Sequence, residues 1–217
     1  MESNMEKMVE NNQVVVMGCV VSKFVYNHEI FGEKFYMVDV EVKRISDTSD
    51  CIPVMFSDRL INVEEDLIGR NIAIYGQFRS YNRHEEGKSR LILSVFAKDY
   101  EFMDEVEAGV HNNQIYLSGY ICKSPIYRKT PLGREITDLL IAVNRPYGKS
   151  DYIPCICWGR TARFASNLDV GSPCFVWGRI QSREYTKKIS EDEAIRRTAY
   201  EVSVNRLDEV SPEMEMS

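Results

Sequence analysis

Between residues 37 and 43 the chain alternates strictly. Val38, Val40 and Val42 share one parity, while Met37, Asp39 and Glu41 share the other. A period of two is the mark of a strand with one face turned to a core. Leu139, Ile141 and Val143 repeat the pattern a hundred residues on. Two further pairs of strands follow from Ile52, Val54 and Phe56 against Ile153, Cys155 and Cys157, and from Ile72 and Ile74 against Cys174 and Val176. Each third strand is followed by a stretch that reads as a short helix, about 59–67 and 161–168, before a glycine opens the fourth.

These matches belong to an internal repeat. NQVVVMG (12–18) answers NQIYLSG (113–119), and DCIP (50–53) answers DYIP (151–154), both at a shift of 101. GRNIAIYGQFRSY (69–81) answers GSPCFVWGRIQSR (171–183) at a shift of 102. Self-similarity at a fixed period implies duplicated units. The expected division is a tail over 1–11, a first domain over 12–104, a linker over 105–112, a second domain over 113–208 and a tail over 209–217. The segment 101–112, EFMDEVEAGVHN, is acidic and helix-tolerant. Five strands with one helix between the third and fourth describe an all-β protein of two tandem OB-fold barrels, each a five-stranded Greek-key barrel with one short helix. A plain sandwich is the alternative.

The outward parity of the second copy is unusual. With Ile153, Cys155 and Cys157 inward, Tyr152, Pro154, Ile156 and Trp158 point out. With Cys174, Val176 and Ile180 inward, so do Phe175, Trp177, Arg179, Gln181, Arg183 and Tyr185. A monomeric barrel would present a more polar surface. A bound single strand of nucleic acid accounts for both residue types, since arginines neutralise phosphates and flat rings stack on bases whatever their identity. The net charge of −6 hides an asymmetry of the same sense. Residues 1–110 hold 12 Lys and Arg against 20 Asp and Glu, whereas residues 113–207 hold 15 against 9.

The motifs NQIYLSG, YRKTPLGREITDLLIAVNRPY, CICWGRTARF, VWGRIQSREY and YEVSVNRL follow one another in an order and spacing that resembles the bacterial single-stranded DNA-binding proteins of the replication type. The resemblance covers nearly all of residues 112–208; residues 12–104 look like a divergent copy. It implies single-stranded DNA as the ligand, bound with little sequence preference and protected in replication, recombination or repair. Matched motif to motif, it places the family's four stacking aromatics at Tyr147, Tyr152, Trp158 and Tyr185, and its basic contacts at Arg128, Arg160 and Arg183. Arg145, Lys149 and Arg179 join them from their neighbourhood. Four barrels per particle in the family imply a homodimer for a chain with two. The family's basic pair before the fourth strand is replaced by the acidic NLDVG. Its acidic tip with Pro-Phe, which recruits replication and repair proteins, has no counterpart in LDEVSPEMEMS.

In the first copy Tyr147, Tyr152 and Trp158 become Ser46, Cys51 and Ser57, while Arg183 and Tyr185 become Tyr81 and Arg83. A weaker binding face is expected there. Tyr116, Phe164 and Tyr200 read as packing residues, and Trp177 fits a subunit contact as well as a base contact. A hairpin is expected over 186–197.

Other chemistries find little support. The six cysteines form no Cys-x-x-Cys pair, so reduced buried thiols are expected and no metal or other cofactor. No phosphate loop, dinucleotide fingerprint or zinc-hydrolase motif occurs, and His28, His84 and His111 fall in expected turns or the linker. An enzyme is not expected. No run approaches a membrane span and the N-terminal residues do not resemble a signal peptide, so the expected location is cytoplasmic, with no membrane partner. The competing reading is a protein-interaction module of a replisome or primosome that docks through the aromatic face.

Overall fold

The computed structural model describes residues 11–46, 48–85, 88–109, 111–188 and 194–210; most of both expected tails lies outside them. In the first domain β1 is Asn12–Val20, β2 Val25–Ile30, β3 Glu33–Lys43, β4 Ser49–Ser57, β5 Asn71–Glu85 and β6 Lys88–Met103. In the second, β7 is Asn113–Ile121, β8 Ile126–Lys129, β9 Glu135–Asn144, β10 Ser150–Trp158, α1 Gly159–Ala165, β11 Pro173–Lys188 and β12 Ala194–Glu209.

Each domain closes five strands into a barrel. The sheet order is β2-β3-β4-β6-β5-β1-β7-β11-β12-β10-β9-β8, and the additional pairings β3–β1 and β7–β9 close the two rings. In each, one parallel pair, β4–β6 or β10–β12, joins an otherwise antiparallel set. This is the OB fold twice over, with β2 and β8 as short strands outside the closure. The cores are the alternating apolar positions: Val38, Val40, Val42, Ile52, Val54 and Phe56 in the first barrel, Ile141, Val143, Ile153, Cys155 and Cys157 in the second, all buried.

Tight bends force glycine at two equivalent places. A Cβ on Gly76 would lie 2.1 Å from the Phe96 carbonyl oxygen, and one on Gly178 would lie 2.2 Å from that of Ser203. The β5–β6 and β11–β12 registers shift at these glycines. Beside each bend an asparagine fastens the neighbouring strand. Asn12 takes both the N–H and the carbonyl of Phe78 at 2.8 Å. Asn113 does the same for Ile180, at 2.8 and 2.7 Å. The repeated NQ at the start of both copies is thus a structural clasp.

Several expectations are corrected. The first domain has no helix after its third strand. Residues 58–70 form successive turns, in which the Asn62 and Asp66 side chains accept from the Glu64 and Ile68 amides and compete with a helical ladder. The second domain places Ala162 and Ala165 against its barrel, and these small helix formers permit α1. Ile156 has outward parity but is buried, because Asp138 on β9 and Ser203 on β12 flank it on either side. Phe164 is exposed on α1, not packed. His28 and His84 lie in β2 and β5. The linker carries no helix among its described residues. The late hairpin agrees with expectation, since β11 and β12 pair antiparallel out to Lys188 opposite Ala194.

The two barrels are joined in two ways. β1 and β7 pair antiparallel, with Val14 opposite Ile115, which merges both into one sheet. Beyond this seam the long arms cross. On the β5 arm, the Ser80 amide donates to Asp151 Oδ1 at 2.6 Å, and Ser80 Oγ accepts the Tyr152 amide at 2.7 Å. On the β11 arm, the Ser182 amide donates to Asp50 Oδ1 at 2.8 Å, and Ser182 Oγ accepts the Cys51 amide at 3.3 Å. Asp50 and Asp151 are buried, and each pairs with an arginine of its own domain, Arg44 and Arg145 respectively.

The two latches are unequal. Asp50 accepts both Arg44 and Arg179, the latter from the other domain at 3.2 Å. Among the described residues Asp151 pairs with Arg145 alone among cations, and the buried Nε of Arg145 has no hydrogen-bond partner. Breaking a buried pair by truncating one member strands the other charge, at a cost of about 3–5 kcal/mol. Asp50→Ala should therefore lower unfolding stability by about 3 kcal/mol or more, and Asp151→Ala by less, as read from urea denaturation of each variant.

Candidate nucleic-acid interface

The outward face of β10 displays its rings as the alternation requires. Tyr152 is 41% exposed and Trp158 37%, so neither is sealed in the interior. Ile156, on the same parity of β10, is buried. Tyr147 sits at the centre of a 3-10 turn, Pro146–Gly148, and is 99% exposed. Its backbone is left-handed, with φ 64° and ψ 32°. A bulky residue in that region stores about 1–3 kcal/mol of strain, a feature that clusters at binding sites. Tyr185, 38% exposed, lies on the β11 arm, two residues beyond Arg183.

The expected cations separate into three groups. Arg160 on the first turn of α1, Lys149 before β10 and Arg183 on β11 are exposed and form no ion pair among the described residues. Arg128 on β8 is exposed but engaged, with Nε 2.8 Å and Nη2 3.2 Å from the Asp138 carboxylate. This partner holds its pKa above the ordinary value. Arg145 and Arg179, expected among the phosphate contacts, are instead committed to Asp151 and Asp50. Burial pulls the pKa of Arg179 down, Arg44 adds to the fall, and Asp50 opposes it. The sequence signal that identifies these latches is their presence in both copies: Arg44 and Asp50 answer Arg145 and Asp151 even where the aromatics differ.

At the equivalent place the first domain is acidic. Cys51 stands where Tyr152 does, and Asp39 and Glu41 stand on β3 where β9 has Leu140 and Ala142. Burial, then the charges of Asp39 and Glu41, push the Cys51 thiol up to about 11. Tyr200 of β12 leans on the same spot: burial raises its pKa to about 12, and the charges of Cys51 and Asp39 add to the rise. The β11–β12 arm thus partly covers a trough whose charge would repel phosphate.

A second aromatic group occupies the outer face of the shared sheet. Tyr116 and Trp177 have ring centroids 5.3 Å apart, Phe175 lies 6.1 Å from each, and Arg206 stands 4.6 Å over the Trp177 ring. Among the described residues no group of three or more His, Cys, Asp or Glu could hold a metal, and no helix is long and apolar enough to cross a membrane.

Taken together, the fold and this face define a tandem OB-fold protein whose second barrel exposes aromatic rings and cations. Residues 112–210 match the model of the Single-strand binding protein family. The single-stranded DNA-binding protein 2 of Listeria innocua is 38% identical over 80 residues, which are 34% of this chain and 50% of that protein. Single-stranded DNA-binding protein A of Bacillus subtilis is 36% identical over 80 residues, 34% of this chain and 46% of that one. The match thus spans about half the length of these curated relatives. The wild-type single-stranded DNA binding protein from Thermus aquaticus superposes with a TM-score of 0.73 over 92% of this chain and 93% of that one, at 20% identity. A deletion mutant of it gives 0.70 over 92% and 94%. At that identity the likeness shows the fold, and it extends across both barrels.

The charge around Cys51 has a measurable consequence. With its thiol pKa near 11, the exposed Cys51 should alkylate slowly at pH 8 and accelerate steadily as pH rises towards 11. Asp39→Asn should shift that profile to lower pH, as followed by iodoacetamide labelling and peptide mass.

Proposed function

We propose that the second domain binds single-stranded DNA with little sequence preference and protects it during replication, recombination or repair. Bases stack on Tyr147, Tyr152 and Trp158, with Tyr185 extending the surface along β11. Arg160, Lys149 and Arg183 meet phosphates, and Arg128 joins them when it leaves Asp138. The observation that carries this reading is the exposure of Tyr152 and Trp158 on one face of β10, with the unpaired Arg160 two residues after Trp158. The role is binding without chemistry. The acidic trough of the first domain takes no part.

Stacking contributes roughly 1–3 kcal/mol per base. Trp158→Ala and Tyr152→Ala should each weaken oligo-dT binding by about fivefold or more. Arg59→Ala, whose side chain faces Glu33 at 3.6 Å, should change it less than twofold. Equal losses in all three, or tryptophan fluorescence unmoved by oligo-dT, would favour a protein-docking face instead.

We further propose that the chain acts as a homodimer, with the sheet face bearing Tyr116, Phe175 and Trp177 buried between copies. Half-buried rings gathered on a flat sheet are what such an interface covers. Wild-type protein should scatter light as twice 25.1 kDa, and Trp177→Arg should shift it to 25.1 kDa.

A further inference from the structure

The first domain has lost the rings at Ser46, Cys51 and Ser57, yet its outward face carries others in places the family motif does not use. The His28 ring on β2 stacks on Phe35 of β3, with centroids 4.9 Å apart and planes 13° from parallel. Phe35 lies 5.8 Å from Phe96 of β6. The Arg79 guanidinium of β5 sits 3.9 Å over the centre of the Phe96 ring. The strand order β2-β3-β4-β6-β5 turns these contacts into one stripe across the sheet, with Met55 of β4 opposite Phe96. The stripe has two layers. Phe35 and Phe96 are the inner one, and the flat outer layer is an imidazole and a guanidinium.

Packing does not demand this arrangement. The second domain builds the same sheet with Ile136 for Phe35, Ser203 for Phe96, Gln181 for Arg79 and Arg128 opposite Ile136 where His28 stands opposite Phe35. The stripe is therefore an addition to a framework that closes without it. It also ends at the domain seam. Ser80, next to Arg79, accepts Arg145 Nη2 at 3.1 Å through its carbonyl and holds the Tyr152 amide through its hydroxyl. Arg145 in turn begins the turn that carries Tyr147. Burial and the neighbouring Arg145 lower the pKa of Arg79, which agrees with this closeness.

We infer that His28, Phe35, Phe96 and Arg79 form a second nucleobase-binding stripe, continuous with the Tyr147–Tyr152 end of the second domain's trough. This rests on the single-stranded DNA reading given above. Histidine rings and arginine planes are both platforms on which unpaired bases stack. A strand leaving Tyr152 crosses the seam at Ser80 and continues over Arg79 and His28. On the same sheet it avoids the Asp39, Glu41 and Cys51 end.

Length dependence separates the two surfaces. A dT oligomer of about 8 nucleotides fills one OB fold, and one of about 20 reaches both. The double variant His28→Ala/Arg79→Gln, which installs at 79 the residue the second domain has there, should bind the longer oligomer at least fivefold more weakly and the shorter one within twofold of wild type. His28→Tyr, which keeps a flat ring, should bind both as wild type does. Unchanged binding of the longer oligomer by the double variant, while Trp158→Ala weakens both lengths, would overturn the stripe and leave the second domain's role intact. Wild-type protein that binds neither length would remove both readings.

Discussion

The structure depends on two buried aspartates, one in each barrel, each satisfied in part by the other barrel. A carboxylate taken out of water must find donors, and neither Asp50 nor Asp151 finds enough within its own domain. Each draws an arginine from its own chain segment and a backbone amide from the opposite arm, Ser182 for Asp50 and Ser80 for Asp151. The arms can reach because β5 and β11 run 15 and 16 residues, well past the barrels they help to close. Together with the β1–β7 seam, this makes the relative placement of the two outward faces a property of the fold. Surfaces on separate barrels can then serve one extended ligand.

Duplication also allows the two copies to diverge on opposite sides of the same framework. Barrel closure asks for the glycines at 76 and 178, the asparagines at 12 and 113 and the inward aliphatic rows, and both copies supply them. The outward face answers to no such demand. In the second copy it became apolar and aromatic at Leu140, Ala142, Tyr152 and Trp158. In the first it became acidic at Asp39 and Glu41, and aromatic further along the sheet at Phe35 and Phe96. The heavier decoration of one copy is therefore a difference of placement as well as of amount.

The sequence made the repeat, the all-β class and the exposed rings of β10 legible, because a period of two assigns a face to every residue of a strand. Parity says nothing about lateral neighbours. Ile156 has the outward parity of Tyr152 yet is closed in by strands on both sides. Arg145 and Arg179 look like surface cations in a basic neighbourhood, whereas their partners, Asp151 and Asp50, come from across a turn or from the other barrel. The missing helix of the first domain turned on side-chain competition at Asn62 and Asp66, against which helix-like spacing carries little weight. The stripe from His28 to Arg79 was invisible for a related reason: its members are far apart in sequence and become neighbours only through strand order.

The latch and the proposed binding face meet at Arg145. Its guanidinium ties Asp151 to the Ser80 carbonyl across the seam, while its backbone amide donates to the Lys149 carbonyl at 2.7 Å and closes the loop that holds Tyr147. A five-residue loop fixed at both ends can keep a tyrosine in the left-handed region that it would leave if the ends were free. Asp151, adjoining the loop in sequence, also places the Tyr152 amide against Ser80. The crossed arm thereby sets the position of two exposed rings at once. Rings already fixed by the fold would favour affinity in such a site, because side chains ordered before binding lose less entropy on it. The buried charge that joins the barrels is, on this view, also what preorganises the trough.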